Sequence, residues 1–154
     1  MINPKKLLIR FVFVMIAFSI MIRFAEATSM NFTVFGGEEK TETINLSVED
    51  HVVIKFTVAG QSDSTIHFSI TYPNGTNKEF GKVGYFNYPF VCDAEGSYVL
   101  RFSNTESTED KLVALDYEIE HYIFGIPQMF FLVIIIVVTC VAAVAVFIMM
   151  GKPR

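Results

Sequence analysis

The chain has 154 residues, of which 52% are hydrophobic and 18% charged, and its formal net charge at pH 7 is −4. This length accommodates one ordinary domain together with targeting segments. The acidic balance argues against a nucleic-acid partner, because a phosphate backbone would be repelled.

The chain begins with basic residues followed by an apolar stretch. Three basic residues precede or open the apolar run 11–22, and small residues follow it at Ala25 and Ala27. This order is typical of a secretory signal peptide, so we predict that residues 1–27 form one and that cleavage follows Ala27. Arg23 lies between the apolar run and the cleavage position, which is unusual, and an uncleaved signal anchor is the alternative.

Alternation of apolar and polar residues dominates the region 28–122. "HVVIKFTV" (51–58) and "TIHFSITY" (65–72) each have apolar residues at every second position, as expected of strands half-buried against a core. Pro-Asn-Gly at 73–75 predicts a hairpin turn, because Asn-Gly readily supplies positive φ angles. The pattern indicates about seven or eight strands and no helical period, so the expected fold class is all-β, a small antiparallel β-sandwich.

The later strands carry two more predictions. Pro89 lies inside the strand 84–91 and donates no ladder hydrogen bond, so this strand is expected at a sheet edge or a bulge. The stretches 97–104 and 111–120 are interpreted as the closing hairpin of the sandwich. Their inward side chains are predicted to be Tyr98, Leu100, Phe102, Val113, Leu115, Tyr117 and Ile119.

The segment 129–150 consists of 22 residues without a charge. At about 1.5 Å per residue a helix of this length spans roughly 33 Å, enough to cross a hydrocarbon core of about 30 Å. We therefore predict a transmembrane helix, with residues 123–128 as a short juxtamembrane linker. A buried helix of a soluble protein is the alternative, but the remaining residues are too few to build a core around it.

Charge is distributed unevenly on the two sides of this predicted span. Residues 28–122 hold 15 acidic and 6 basic residues, whereas residues 151–154 hold two basic residues and no acidic one. The positive-inside bias predicts that 151–154 form a cytoplasmic tail and that the β-domain lies outside the cytoplasm, at the cell surface or in the lumen of the secretory pathway.

No catalytic or metal-binding pattern is present in the sequence. His51, His67 and His121 fall on different predicted strands and lack metal-ligand spacing, and there is no nucleophile elbow or phosphate loop. We therefore expect neither an enzyme nor a cofactor.

Two groups of acidic residues are candidate sites. Glu106, Glu109 and Asp110 lie in a loop without the alternating ligands and glycine of a calcium loop, which favours a solvated turn. Glu118 and Glu120 share one face of the last strand, and a glycosidase using this carboxylate pair is the enzymatic alternative.

The cysteines cannot form a disulfide inside the predicted β-domain. Cys140 lies in the predicted span, and Cys92 is the only cysteine between residues 28 and 122. Cys92 is expected to be a small buried apolar residue, with pairing between chains as the alternative.

Three N-x-S/T triplets, at Asn31, Asn45 and Asn74, are predicted glycosylation sites in turns or at strand ends. Chance occurrence is the alternative, because the chain is rich in Asn, Ser and Thr. If these sites are used, the faces that carry them are not binding faces. In the predicted span, Thr139 and Ala143 form a small-x-x-x-small pair, which suggests a homo-oligomer through helix packing.

The segments "HFSITYPNG" and "YFNYPFVCDAEGSYVLRFSNTESTEDKLVALDYEI" resemble a Golgi-dynamics (GOLD) domain over about residues 50–122. The residues that carry the resemblance are Pro73, Gly75, Gly96, Tyr98, Phe102, Asn104 and Lys111. The resemblance implies a β-sandwich that mediates protein contacts. Well-known members are small single-pass cargo receptors of the early secretory pathway.

The chain departs from these receptors at three places. The linker 123–128 leaves no room for their coiled coil, the β-domain has one cysteine where a disulfide is usual, and the tail "GKPR" lacks their aromatic and dilysine signals. A prokaryotic surface protein with the same sandwich fits equally well.

The predicted function is therefore that of a non-enzymatic single-pass membrane protein whose β-domain binds a protein partner or cargo close to the membrane, in trafficking or secretion. The alternative is a structural or accessory subunit of a larger membrane or cell-surface complex.

Overall fold

The computed structural model describes residues 26–150. The predicted signal peptide up to residue 25 and the tail 151–154 lie outside the described residues. The described part divides into two compact units, a β-unit that ends at Gly125 and a helical unit that begins at Ile126. Each is described by itself.

The β-unit contains eight main strands in two four-stranded antiparallel sheets. Sheet A has the strand order β1-β8-β3-β6, and sheet B has the order β2-β7-β4-β5. The strands are β1 (Glu26–Val34), β2 (Glu39–Leu46), β3 (His51–Ala59), β4 (Ile66–Thr71), β5 (Asn77–Val83), β6 (Tyr85–Val91), β7 (Gly96–Ser103) and β8 (Lys111–Glu120). Two short strands follow, β9 (Tyr122–Ile123) and, in the helical unit, β10 (Ile126–Pro127).

The core lies between the two sheets, as the period of two predicts. Along β3, Val52, Ile54, Phe56 and Val58 are all buried, and the residues between them are more exposed. The Phe56 ring of sheet A lies 4.8 Å from Phe68 and 5.2 Å from Phe102 of sheet B. The prediction of an all-β antiparallel fold is confirmed.

The two sheets meet at two sides, which differ in chemistry. At the β1/β2 side, the Lys40 ammonium lies 4.5 Å from the centre of the Phe32 ring. At the β5/β6 side, the Phe80 ring lies 4.8 Å from Phe86 and 5.0 Å from Tyr88. We call them the β1/β2 side and the β5/β6 side.

The predicted turn after β4 is present. The N–H of Gly75 donates to the carbonyl of Tyr72 at 2.9 Å, and Gly75 has a φ of 82°, a conformation that glycine adopts without a steric penalty. A Cβ placed on Gly96, whose φ is 143°, would lie 2.9 Å from the Cβ of Pro73. The start of β7 therefore packs against this turn through a position that only glycine fits.

The predicted closing hairpin is wrong. β7 belongs to sheet B and β8 to sheet A, so the loop 104–110 crosses between the sheets. Alternation indicates that a segment is a strand but carries no information about its partner. The inward side chains were predicted correctly, since all are buried except Tyr117, which is partly buried.

Two buried polar residues hold this crossover loop at its ends. The side-chain amide of Asn104 donates to the carbonyls of Val34, Phe35 and Glu109 at 3.2, 3.2 and 2.7 Å. Lys111 is 1% exposed, and its ammonium donates to the carbonyl of Asp63. Asn104 therefore ties the start of the loop to the end of β1 and to Glu109 within the loop, and Lys111 ties its end to the segment between β3 and β4, as buried polar side chains require.

The helical unit contains one long helix, α1 (Gln128–Met150). Its segment Gln128–Val146 has a mean hydropathy of 3.2, so α1 is long and apolar enough to cross a membrane. The Thr139 hydroxyl donates to the Ile135 carbonyl at 2.6 Å, and Ala143 lies one turn further on. Both therefore lie on one stripe of the helix.

Candidate functional site

The three predicted glycosylation sites are exposed, but they do not all lie in turns or at strand ends. Asn31 is in the middle of β1, Asn45 is next to last in β2, and Asn74 is in the β4–β5 turn. The location predicted for Asn31 is therefore wrong, because the exposed positions of an edge strand follow the same polar pattern as a turn. No sequon lies in β5 or β6.

The three histidines each contact a different group of the β-unit. The His121 Nδ1 lies 2.8 Å from the carboxylate of Asp50, the His67 Nε2 lies 3.2 Å from that of Glu106, and the His51 ring stacks on Tyr122 at 3.9 Å. Within the described residues, no group of three His, Cys, Asp or Glu side chains is placed to hold a metal ion.

The acidic loop is tied to neighbouring strands and loops. Glu106 accepts from the Lys82 ammonium at 2.9 Å, and Glu109 accepts from the Ser62 hydroxyl at 2.8 Å. The bonds from Lys82 and then from His67 lower the pKa of Glu106, and those from Ser62 lower the pKa of Glu109. These carboxylates therefore fasten the crossover loop.

The outer faces of the sheets carry shallow depressions. One of about 160 Å³ on sheet A includes Glu118 in its lining, and one of about 320 Å³ on sheet B includes Glu39, Glu79 and Arg101. Glu120 lines neither of them. Neither of these two depressions therefore brings Glu118 and Glu120 together, as a pair of carboxylates acting on one glycosidic bond would need.

The four edge strands of the described sheets differ in how they are protected. β2 ("EKTETINL") has three charged residues and a sequon, and β5 ("NKEFGKV") has three charged residues and a register shift against β4. β1 carries the Asn31 sequon. β6 ("YFNYPFV") has no charge and no sequon. Charges, bulges, bulky groups and prolines keep edges from pairing. β6 has the proline alone, and it is the one edge strand of the described sheets with neither a charge nor a sequon.

The direction of the β6 backbone groups follows from the hydrogen bonds at its two ends. Cys92 donates its N–H to Asp50 at 2.8 Å and accepts from the N–H of Glu49 at 2.9 Å, and the Gly84 carbonyl accepts from Val58 at 2.8 Å. Backbone groups alternate in direction along an antiparallel strand. The backbone groups that point away from β3 are therefore those of Tyr85, Asn87, Pro89 and Val91.

The backbone of Pro89 thus faces away from β3, so the missing N–H of the proline removes no hydrogen bond between β6 and β3. The prediction that its strand is an edge is confirmed. The free side of β6 presents three N–H groups, from Tyr85, Asn87 and Val91, and four carbonyls. In the part of the chain that the structure describes, no strand pairs with this side.

Three half-buried aromatic rings and the buried ring of Phe86 line the β5/β6 side next to this edge. The Tyr88 ring lies 5.0 Å from Phe80, 5.9 Å from Phe86 and 5.6 Å from Phe90. We call these four residues the aromatic rim. Rings in such a rim add apolar area and specific edge or stacked contacts to whatever binds there.

One cation, Lys78, lies at the aromatic rim. Its ammonium donates to the Tyr88 hydroxyl at 2.7 Å and lies 5.4 Å from the centre of the Phe80 ring. The hydrogen bond to Tyr88 raises the pKa of Lys78. Among the described residues, no carboxylate forms an ion pair with Lys78.

Sequence reasoning identified β6 as an edge but missed the aromatic rim. The contact of Lys78 with Tyr88 joins residues on separate strands of different sheets, which periodicity does not reveal. A signal was nevertheless present, because "YFNYPFV" is an uncharged strand that contains a proline, and an edge strand without charge is unusual.

No protein-family model matches the chain, and no curated protein sequence matches it. Among solved structures, it is similar to the PliG periplasmic inhibitor of g-type lysozyme from Aeromonas hydrophila, with a TM-score of 0.48, 15% identity, and coverage of 64% of this chain and 93% of that one. For PliG of Salmonella Typhimurium the TM-score is 0.42, with 12% identity and 61% and 91% coverage. For a de novo designed double-stranded β-helix the TM-score is 0.38, with 18% identity and 58% and 97% coverage. Similarities this distant carry no functional argument.

Proposed function

We propose that this chain is a non-enzymatic single-pass membrane protein whose β-unit lies outside the cytoplasm and binds a protein segment at the free edge of β6. The observation that carries the proposal is the free side of β6, a strand without charge, where seven backbone groups are paired by no described strand. An added strand gains affinity from main-chain hydrogen bonds and specificity from the side chains at alternate positions.

The membrane anchor in this proposal is α1, and its motivation is the length and hydropathy of the helix. The uneven charge on the two sides of the span favours the β-unit outside the cytoplasm. The segment between the end of β8 at Glu120 and the start of α1 at Gln128 is short, so the bound partner would lie close to the bilayer.

The relationship to GOLD domains is part of the proposal, and the roles of the matching residues support it. Tyr98 and Phe102 are fully buried in the core, Asn104 and Lys111 anchor the crossover loop, and Gly96 packs against the β4–β5 turn. These residues all support the fold, as the resemblance implies.

The test uses a photo-crosslinking amino acid in the full-length protein in its own membranes. At Asn87, which is exposed on β6, we expect irradiation to yield a covalent adduct with another polypeptide. The matched control is Thr43, an exposed residue of the β2 edge. Equal adduct yields from Asn87 and Thr43, or none from either, would refute binding at β6.

A further inference from the structure

We propose that Phe124 places its ring in the interfacial layer of the bilayer that α1 spans, where headgroups meet acyl chains. The chain then touches lipid through the β-unit as well as through α1. This inference rests on the membrane anchor of the proposed function and is independent of binding at β6. Its starting observation is the exposure of Phe124, which at 88% is the highest among the large apolar side chains of the described residues.

The backbone of Phe124 shows that this exposure does not serve the fold. Its φ is 53°, in the left-handed region, where Asn, Asp and Gly are the usual residues and a bulky ring is an outlier. Such a conformation costs stability, and a ring this exposed recovers little of that cost by packing within the β-unit. A residue that neither suits its backbone nor fills the core points to a contact outside the fold.

The chain that leads to Phe124 is held to the β-unit by two side-chain contacts. The His121 Nδ1 lies 2.8 Å from the Asp50 carboxylate, and the Tyr122 ring stacks on His51 at 3.9 Å. His51 begins β3, and this start of β3 lies beside the end of β8. Phe124 therefore follows an anchored side chain by two residues, at the end of sheet A where β8 finishes.

Phe124 also lies four positions before α1, which begins at Gln128. Four residues span at most about 14 Å when fully extended. A helix with the length of α1 is about 34 Å long, slightly more than the hydrocarbon core of about 30 Å. The first turn of α1 in a bilayer would therefore lie close to the headgroups, and the ring of Phe124 is within reach of them.

The chemistry of this end of the chain favours a zwitterionic lipid surface. Segments that lie at the boundary between headgroups and acyl chains bury Trp, Phe and Leu side chains there. Residues 28–122 hold 15 acidic and 6 basic residues, so anionic lipids would repel the β-unit. The contact of Phe124 is therefore apolar, and it does not depend on headgroup charge.

The absence of tryptophan from the chain allows a direct test with single-tryptophan variants. Each full-length variant is reconstituted in phosphatidylcholine vesicles whose acyl chains carry bromine, a fluorescence quencher, either near the headgroup or near the methyl end. Phe124→Trp is the test, and Phe130→Trp in α1 is the positive control. Phe35→Trp is the matched control, because Phe35 is 53% exposed and follows β1 at the opposite end of sheet A, beside the start of β8.

We expect bromine near the headgroup to quench Phe124→Trp roughly twofold more than bromine near the methyl end, because the ring lies at the edge of the hydrocarbon core. Phe130→Trp should be quenched, and Phe35→Trp should not. Quenching of Phe124→Trp no greater than that of Phe35→Trp would overturn the inference. Blue-shifted emission without quenching would overturn it too, because the ring would then pack against protein. So would quenching that increases when anionic lipid is added, because the contact would then be electrostatic.

A second experiment separates a lipid contact from a role in the fold. Asn suits a left-handed backbone better than Phe does, so Phe124→Asn should leave the urea midpoint of the detergent-solubilised chain unchanged or raise it. Glu49→Asn is the matched control, because Glu49 is exposed and has a φ of 70°. A midpoint lowered by Phe124→Asn alone would show that the ring supports the β-unit, and would overturn the inference.

The outcomes separate this inference from the proposed function. If Phe130→Trp is not quenched, α1 does not lie in the bilayer, and both the anchor and the contact of Phe124 are refuted. If Phe130→Trp is quenched and Phe124→Trp is not, only the contact of Phe124 is refuted. Strand addition at β6 is decided by its own test, the crosslink from Asn87.

Discussion

The β1/β2 side and the β5/β6 side of the β-unit bury rings of the same kind but end differently at the surface. On the β1/β2 side, Lys40 lies over Phe32, and both edge strands carry a sequon. On the β5/β6 side, a group of rings continues outward to a strand without charge or sequon. Both sides therefore close the core, but in the described sheets only the β5/β6 side has an edge strand with neither a charge nor a sequon.

Aromatic contacts are distributed unevenly between the two sides of this small fold. The rings of the β5/β6 side form a connected set, in which Phe86 contacts Phe56, Phe68, Phe80 and Tyr88. A rigid aromatic support beneath an open strand holds that strand in position before a partner arrives. The binding proposed for this edge would then require less ordering of β6.

The largest expected effect comes from removing one ring at each side. Phe86 and Phe32 are equally buried, at 8% exposure, but Phe32 contacts a single ring, Phe102 at 5.2 Å. We expect Phe86→Ala to lower the free energy of unfolding by about 4–5 kcal/mol and Phe32→Ala by about 3 kcal/mol. Urea denaturation of the detergent-solubilised chain measures both. Equal losses would contradict the asymmetry between the sides.

A smaller loss is expected at the crossover loop, where Asn104 joins the end of β1 to the loop. Asn104→Ala leaves buried carbonyls without a donor and should lower the free energy of unfolding by about 2–3 kcal/mol.

The corresponding link on the β5/β6 side is Gly84, where a Cβ would lie 2.5 Å from the Ser64 carbonyl oxygen. Gly84→Ala should cost about 1–3 kcal/mol through this clash. Thermal melts within 1 °C of the parent for either variant would contradict these roles.

Acid should weaken the contact between the crossover loop and β5. The pKa of Glu106 is lowered in the folded chain, so its contribution to stability is present above the unfolded pKa of about 4.3 and is lost as the pH falls through the folded value. The stability difference between the parent and Glu106→Gln should therefore shrink between about pH 5 and 3. Denaturation midpoints at each pH measure it, and a difference that grows as the pH falls from about 5 to 3 would contradict the ion pair with Lys82.

The smallest effect on stability is expected at the sequons. Asn31, Asn45 and Asn74 are exposed, so single changes to Gln should alter the free energy of unfolding by no more than about 0.5 kcal/mol. In a host that glycosylates, each change should remove one step of electrophoretic mobility. Unchanged mobility in all three would show that the triplets are unused. The β1/β2 side and the β5/β6 side would then differ only in their charged residues and their aromatic rings.

Single strands, the β4–β5 turn and the helix were predictable from the sequence because each depends on residues that are close together in the chain. The period of two identified β3 and β4, Asn-Gly identified the turn between β4 and β5, and the missing N–H of Pro89 identified β6 as an edge. The apolar run from residue 129 predicted α1, which begins at Gln128.

Strand pairing and the aromatic rim were harder to predict from the sequence. β7 and β8 alternate correctly for a hairpin, yet Asn104 and Lys111 bind carbonyls from other loops and direct the chain across to the other sheet. The aromatic rim combines rings from β5 and β6, and no periodicity in one segment reveals a contact between two. The position of Asn31 within β1 was missed because an exposed strand residue and a turn residue have the same polarity.

Cys92 gives the β-unit an internal reporter. It follows directly after β6, is 2% exposed, and its thiol contacts the Tyr98 hydroxyl at 3.3 Å and the Ala94 carbonyl at 3.1 Å. A thiol reagent can reach it only when the end of β6 separates from the sheet. The rate at which the native protein is alkylated at Cys92 therefore measures how often this edge opens, and a partner bound along β6 should slow that rate without touching the sulfur.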